Sequence, residues 1–329
     1  MGLSKQMARF VIREGRHSSI RGSVLLIGRQ TVHLTPQRFT ELMREEGMLI
    51  DPSVPVSLDT TTQKGIGKGF ISDTYFFKAL GAESVLAIDV SGYEGAEIVH
   101  NLDTPIPSEL EGKFDFICNG SVLDNMFNPI MGLTNISRLL APTGRVIHFE
   151  HSSNTVNNAY LQFSPNWFYD YYVVNKFSDC KTYIALFYDL NGPWSFYACV
   201  HEDGLEPKLF RSSRYAMTAV VAEKNTASTW DRCPVQGIYR SRENWEDYLE
   251  CERRFATSSR PFIAPSENGF LGLSGRVKGY SHEIREFRRL FKHSPRTTQQ
   301  QSIFDTLMYL LPPGFFPRRR GYRPLGKFY

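Results

Sequence analysis

A chain of 329 residues exceeds one small module and suits one large or two modest domains of roughly 150 residues each. Hydrophobic residues at 41% and charged residues at 22% are a globular composition, which excludes disorder, coiled coil and collagen-like repetition for most of its length. The net charge of +4 is unevenly placed: from Arg276 to Tyr329, 12 Lys and Arg face 3 acids, a local +9 that leaves −5 on residues 1–275.

No apolar run approaches the roughly 18 residues that span a bilayer. The opening MGLSKQMARFVIREGR has no apolar core of leader length, so a cytoplasmic protein is expected. The five cysteines are scattered without a CxxC pair, which encodes neither a zinc knuckle nor a redox motif, and no metal site is expected.

In chain order, an amphipathic helix within the first 20 residues leads to a strand at Val24–Ile27 closed by Gly28. An apolar run closed by Gly is the pattern of a strand buried on both faces. Thr35 and Pro36 begin a helix carrying Phe39, Leu42 and Met43 and ended by Gly47. After a loop over 48–70, Ser72 or Asp73 caps a second helix ended by Gly81. Strands follow at Val85–Ile88, Ala96–Val99 and Phe114–Cys118. A helix bearing Ile130, Leu133, Ile136 and Leu139 then precedes a strand at Arg145–Phe149. Ser164-Pro165 starts an aromatic helix, and β-rich stretches follow at Thr182–Tyr188, Ser195–Val200 and Ala216–Ala222. Beyond 226 no strand is expected, and helices are read at Arg242–Phe255, Ser281–Phe291 and Ile303–Leu311. Strands alternating with helices predict an α/β protein with a doubly wound, Rossmann-like, mostly parallel sheet and an antiparallel edge. The expected division is 1–225 for the sheet domain and 226–329 for a helical, basic extension.

In an open parallel sheet, ligands bind beyond the carboxyl ends of the strands where the strand order reverses. The residues at those ends here are Gly28, Asp89, Asp103, Asn119-Gly120 and Glu150. An Asp closing the second strand offers two coplanar oxygens to a ribose diol.

This order of features resembles the class I S-adenosylmethionine-dependent methyltransferases over about residues 20–225. The resemblance implies a seven-stranded sheet and assigns S-adenosylmethionine as cofactor, Gly28 to the first turn, Asp89 to the ribose, Asp103 to the neighbourhood of the adenine, and Phe114–Asn125, including Asn119, to the fourth strand and its exit. The phrases LLIGRQTVHLT, AIDVSGYEGAEIVHNLDTPIP and YLQFSPNWFY are similar to uncharacterised bacterial methyltransferase-like proteins, some found with surface-glycan or secondary-metabolite genes. Two departures stand out. The turn Ile27-Gly28-Arg29-Gln30-Thr31 has one glycine where the family usually has two or three with an acid, and extra chain over 48–70 separates it from Asp89. Gly65, Gly67 and Gly69 of that insert read either as a flexible lid or as an ordinary loop.

Arg29 has two readings, a bidentate clamp for the cofactor's carboxylate or a surface Arg paired with an acid. Candidate bases at the strand ends are Asp124, His148 and His151. His151 is favoured as the catalytic base, with Asp124, because imidazole titrates near neutrality. The fourth-strand exit lacks the Asn-Pro-Pro-Tyr motif tied to planar amines, which favours a hydroxyl acceptor. Asn154, Asn157, Asn158, Tyr160 and Gln162 read either as a sugar-contacting segment or as an Asn-rich turn. Trp167, Phe168, Tyr171 and Tyr172 read either as pocket wall or, more cheaply at helical spacing, as core. The Arg-rich tail is solvated or meets an anionic partner. A nucleic-acid substrate is disfavoured because no recognised module accompanies the tail and the sheet domain is acidic.

The expected function is therefore a biosynthetic S-adenosylmethionine-dependent methyltransferase acting on a small-molecule or glycan-precursor hydroxyl. A non-catalytic binding or scaffolding protein with a degenerate cofactor turn is the alternative. A nicotinamide oxidoreductase is disfavoured, since Gly28-Arg29-Gln30 offers no GxGxxG for a pyrophosphate.

Overall fold

The computed structural model describes residues 2–199, 201, 212, 214–236, 239 and 246–257, and the backbone of 322–328. Two short strands, β1 (Gly2–Leu3) and β3 (Thr31–Val32), form a small parallel ladder. Nine others make the main sheet: β2 (Ser23–Ile27), β4 (Ser84–Asp89), β5 (Ile98–Val99), β6 (Phe114–Gly120), β7 (Leu140–Ser153), β8 (Asp179–Phe187), β9 (Trp194–Cys199), β10 (Tyr215–Glu223) and β11 (Tyr322–Phe328). Their spatial order is β11-β9-β8-β10-β7-β6-β2-β4-β5. Pairings from β5 through β4, β2 and β6 to β7 are parallel, and those from β7 through β10, β8 and β9 to β11 are antiparallel. The chain thus winds outward from β2 to one edge, returns, and winds the other way from β6. The order reverses between β2 and β6.

Period-two alternation sends successive side chains to opposite faces. Val24 and Leu26 join the core with α1 (Lys5–His17), α2 (Pro36–Glu45) and α3 (Asp73–Ala79), whereas Leu25 and Ile27 face α4 (Pro129–Leu139), α5 (Pro165–Val174) and α6 (Glu246–Thr257). With helices on both faces, the β2 positions Val24–Ile27 are all buried, which is why their sequence is continuously apolar. On the first face, the Phe10 ring meets Phe149, Tyr183 and Phe196 at 5.2–5.6 Å. Such aromatic pairs add about 0.5–1.5 kcal/mol each beyond their buried area.

Helix starts follow the sequence signals. Ser4, Thr35, Ser72, Asn128 and Ser164 each accept a backbone N–H of the first turn through the side chain. Phe168, Tyr171 and Tyr172 are core, as the cheaper reading held.

Several expectations need correction. Ile130 points to solvent, because the buried stripe of α4 runs through Leu133, Ile136 and Leu139. Of Ala96–Val99, only Ile98 and Val99 pair, with Ile88 and Asp89, since β5 is a short edge strand. Against the seven strands expected, the main sheet has nine among the described residues, and β9 carries β11 at the far edge, so a strand does occur after 226. Its sequence, Tyr322–Phe328, contains Pro324 and Gly326, which hide a strand pattern but are tolerated on an outermost strand that lacks a second neighbour. Residues 226–236 hold the end of α5 through Thr229 N–H to the Asn175 carbonyl and Arg232 N–H to Asn175 Oδ1. The helix read at 242–255 is α6, and it buries Cys251 and Phe255 against the domain. The helices read at 281–291 and 303–311, with Arg285, Arg288, Arg289 and Arg318–Arg320, lie outside the described residues.

Candidate functional site

The carboxyl ends of β2, β4, β6 and β7 share one edge of the sheet, and the predicted residues gather there. Gly28 ends β2 with φ +70°, a left-handed conformation that side-chain-bearing residues adopt only at a cost. Its N–H donates to the Ile88 carbonyl at 2.8 Å, tying the turn to β4. A Cβ there would lie 3.4 Å from the Asp89 carboxylate and 3.6 Å from Val122, so the turn faces the Asp89 side chain across a space that one methyl group would fill. Asp89 is half-buried and accepts the Ser91 N–H at 3.2 Å, which fixes the carboxylate at the strand end.

Arg29 is paired with acids, as one of its two readings had it, but it is buried and not on the surface. Its guanidinium is buried and donates to the Gly95 carbonyl at 3.2 Å, to Asp73 at 3.2 Å and to Glu97. Asp73 also accepts the Gln30 N–H at 2.9 Å, and burial raises its carboxyl despite the adjacent Arg29. These bonds lock the start of α3 against the first turn, so α3 is the crossover helix and residues 31–72 are an excursion between turn and helix. The excursion is an ordered loop: Asp59 accepts the N–H groups of Thr61 and Thr62, Thr31 and Thr62 hydroxyls meet at 2.6 Å, and Gln63 N–H reaches Glu94 at 2.7 Å. A cleft of about 600 Å³ opens between it and the Gly92–Gly95 turn just beyond Asp89, lined by Thr60, Thr61, Ile66 and Tyr93.

Gln30 stands in the place of a second glycine. It is fully buried, its amide donates to the Ile27 and Gly28 carbonyls at 3.0 and 3.1 Å, and its Oε1 accepts no hydrogen bond. A Cβ on Gly120 would lie 2.2 Å from that oxygen, so glycine in β6 is what admits the Gln30 side chain.

Across the same edge, β6 and β7 bring Asp124 and His151 together. Asp124 sits in a 3-10 turn at Leu123–Asn125 and is fully buried. Its Oδ2 accepts from His151 Nδ1 at 2.6 Å, from His151 N–H at 3.0 Å and from the Ser121 hydroxyl at 2.5 Å, while Oδ1 takes the Asn125 amide at 2.7 Å. Burial alone would raise this carboxyl, but the bonds from His151 and Ser121 outweigh it and hold it below the ordinary carboxylate range. An ionised Asp124 assigns the imidazole proton to Nδ1, which leaves the Nε2 lone pair as the base. Ser121, at φ +71°, is also 3.0 Å from Nδ1. It therefore touches the protonated nitrogen and is a support for the pair, with no base to make it a nucleophile.

Behind this pair runs a buried polar chain that the sequence reading missed. Glu150 accepts from the Asn119 amide at 2.5 Å and from the N–H groups of Leu123 and Asp124 at 3.3 and 3.2 Å. Burial, followed by the charge of Asp124, pushes the Glu150 carboxyl well above its ordinary value. The Asn119 amide also meets His148 Nδ1 at 3.0 Å, and His148 Nε2 lies 2.6 Å from the Tyr172 hydroxyl. Burial drives His148 down to about 3, so it is neutral and out of reach of any substrate, against its candidacy as a base. Asn119, with its Oδ1 on the Val122 N–H, is likewise spent inside the protein. Asp103 is half-buried and accepts the Asn128 N–H at 3.0 Å, anchoring the start of α4. Asn154 donates to the carbonyls of Ser212 and Arg214, both at 2.7 Å. A smaller cleft of about 370 Å³ lies at the opposite, amino ends of the strands, and its Arg145 is consumed by Glu14 and the carbonyls of Ser18 and Ser19.

No protein-family model and no curated protein matches the sequence. Solved structures do. A SAM-dependent methyltransferase of Thermotoga maritima, described as a possible histamine N-methyltransferase, is 13% identical over 68% of this chain and 90% of its own, with a TM-score of 0.32. The YcgJ protein of Bacillus subtilis is 10% identical over 67% and 99%, with a TM-score of 0.37. The 1,6-didemethyltoxoflavin-N1-methyltransferase of Burkholderia thailandensis, solved with 1,6-didemethyltoxoflavin and S-adenosylhomocysteine, is 13% identical over 67% and 80%, with a TM-score of 0.34. A Zn-dependent alcohol dehydrogenase of Rhodobacter sphaeroides is matched over about half of each chain, 46% and 48%, at 14% identity and a TM-score of 0.27.

Proposed function

We propose that the chain is an S-adenosylmethionine-dependent methyltransferase whose acceptor is a small-molecule hydroxyl. The observation that carries this reading is the Gly28 turn, tied by its N–H to the Ile88 carbonyl and facing the Asp89 carboxylate at the ends of adjacent parallel strands, on the edge that also holds the Asp124–His151 pair. The residues fit the cofactor on two counts. Gly28 makes a cradle that a Cβ would fill, and Gln30 Oε1 is a buried acceptor without a donor, suited to an ammonium. Asp89 would hold the ribose hydroxyls, Asp103 would flank the adenine, and Gln30 would meet the amino group. Arg29, spent on Asp73, Glu97 and Gly95, orders the walls of the site and is no carboxylate clamp.

The bound cofactor supplies a methyl group on a sulfonium. His151 would take the acceptor's hydroxyl proton on Nε2, leaving on the acceptor oxygen the electron pair that methyl transfer requires. Asp124 holds the imidazole in the required tautomer and balances its charge once protonated. Backbone anchoring of both residues supplies the fixed geometry from which much of the acceleration of an in-line displacement comes.

Calorimetric titration with S-adenosylhomocysteine tests the reading. Micromolar binding that is lost in Asp89→Ala is expected; absence of heat and of any thermal shift would sink it and leave a methyltransferase-like sheet used as a binding scaffold.

A further inference from the structure

Two aromatic rings lie in solvent beside the Asp124–His151 pair. Phe127 is 85% exposed and Tyr160 is 70% exposed, yet their ring centroids are 5.1 Å apart at an interplanar angle of 52°. Neither is on slack chain. Phe127 follows the buried Met126 and precedes Asn128, whose N–H is held by Asp103 at 3.0 Å. Tyr160 precedes Leu161, whose N–H donates to the Asp124 carbonyl at 3.0 Å, and Phe163 N–H donates to the His151 carbonyl at 2.7 Å. The segment bearing Tyr160 is therefore pinned to the backbones of the two residues that would perform the chemistry, and the one bearing Phe127, three residues after Asp124, is held by Asp103. Large apolar surface held in water at a fixed place beside a reactive pair is a binding surface in waiting.

We propose that Phe127 and Tyr160 form the acceptor platform, and that the acceptor is a planar aromatic alcohol of the phenol class, packed on the two rings with its hydroxyl directed to His151. This deepens, and rests on, the methyltransferase reading. Ring geometry favours an aromatic occupant, because tilted and offset aromatic contacts exploit the quadrupoles of both partners. Acidity favours it too. A phenolic hydroxyl ionises at roughly pH 10, like that of tyrosine, which is within reach of an imidazole base; a sugar hydroxyl is far weaker. Of the segment read as sugar-contacting, Asn154 has its amide spent on two backbone carbonyls.

The test is binding of 2-naphthol, followed by its own fluorescence, to the full chain with and without saturating S-adenosylhomocysteine. Saturable binding is expected, weakened at least tenfold by Phe127→Ala with Tyr160→Ala, retained by Phe127→Tyr with Tyr160→Phe, and not competed by methyl glucoside. Both rings are exposed, so thermal melting of all variants should match the parent. Unchanged naphthol affinity in the double alanine variant overturns the platform, as does a double variant that alters only oligomeric mass, which would make the ring pair a protein interface. S-adenosylhomocysteine binding without naphthol binding defeats the platform alone. Naphthol binding that depends on the rings, without S-adenosylhomocysteine binding, supports the platform and defeats the methyltransferase reading.

Discussion

Asp124 holds His151 twice through one oxygen: Oδ2 accepts from the imidazole Nδ1 at 2.6 Å and from the residue's own backbone N–H at 3.0 Å. Ring and main chain are thus fixed by a single buried carboxylate, whose position is set in turn by Glu150 through the Asp124 N–H.

Asp124→Asn should release the tautomer. In the parent, an ¹⁵N–¹H correlation spectrum near neutral pH should show His151 protonated on Nδ1; in the variant the Nε2–H form should gain population. With an acceptor in hand, turnover should fall about 100-fold or more, the usual worth of a general base, while S-adenosylhomocysteine affinity stays unchanged. A variant with the parent spectrum would show that Asp124 does not govern the ring.

His148 and Glu150, on the same strand, set opposing pH dependences. His148 is depressed by burial from 6.5 to about 3, so its contribution is present above 6.5 and is lost as pH falls towards 3. Glu150 is raised by burial, so its contribution is full below its ordinary 4.5 and is lost as pH rises towards its elevated value. Each group alone gives a slope of about 1.4 kcal/mol per pH unit inside its window, and the two slopes have opposite signs where the windows overlap above 4.5. Urea unfolding across pH should therefore show an acid limb set by His148 and an opposing limb, running upward from 4.5, set by Glu150. His148→Phe should flatten the acid limb and Glu150→Gln the opposing limb; parallel curves for parent and variants would refute the assignment.

Arg29→Met should destabilise the protein by about 3–5 kcal/mol, because it strands the buried Asp73 carboxylate. Adding Asp73→Asn should recover part of that loss. Chemical denaturation of the two variants and the parent measures both. A single variant within about 0.5 kcal/mol of the parent would show an exposed, inconsequential pair.

Deleting residues 312–329 removes β11 from the edge strand β9, at the opposite end of the sheet from β2 and β4. S-adenosylhomocysteine affinity should be unchanged. A tenfold loss would show that the tail reaches the site.

The sequence by itself determined the sheet's interior and the helix starts. Val24–Ile27 are apolar because both faces are covered, and Thr35-Pro36 or Ser164-Pro165 are local signals that no distant contact alters. It also placed Asp89 at the end of β4 and Asp124 just beyond β6, since a polar residue after a buried run marks where a strand leaves the core, whereas His151, read as lying past its strand, is inside β7, which runs on to Ser153 in pairing with β10. Tertiary structure alone decided what those residues touch. The register of β6 against β7 puts Asp124 on His151 and Asn119 between His148 and Glu150, a relation across about 30 positions that no spacing encodes. The same holds for Arg29, whose clamp and ion-pair readings were identical in sequence until folding brought Asp73 and Glu97 to its guanidinium. The contacts of Ser121, Glu150 and Gln30 went unread for a related reason: they come from burial and from one oxygen's neighbours, which depend on how three strands and a turn pack together.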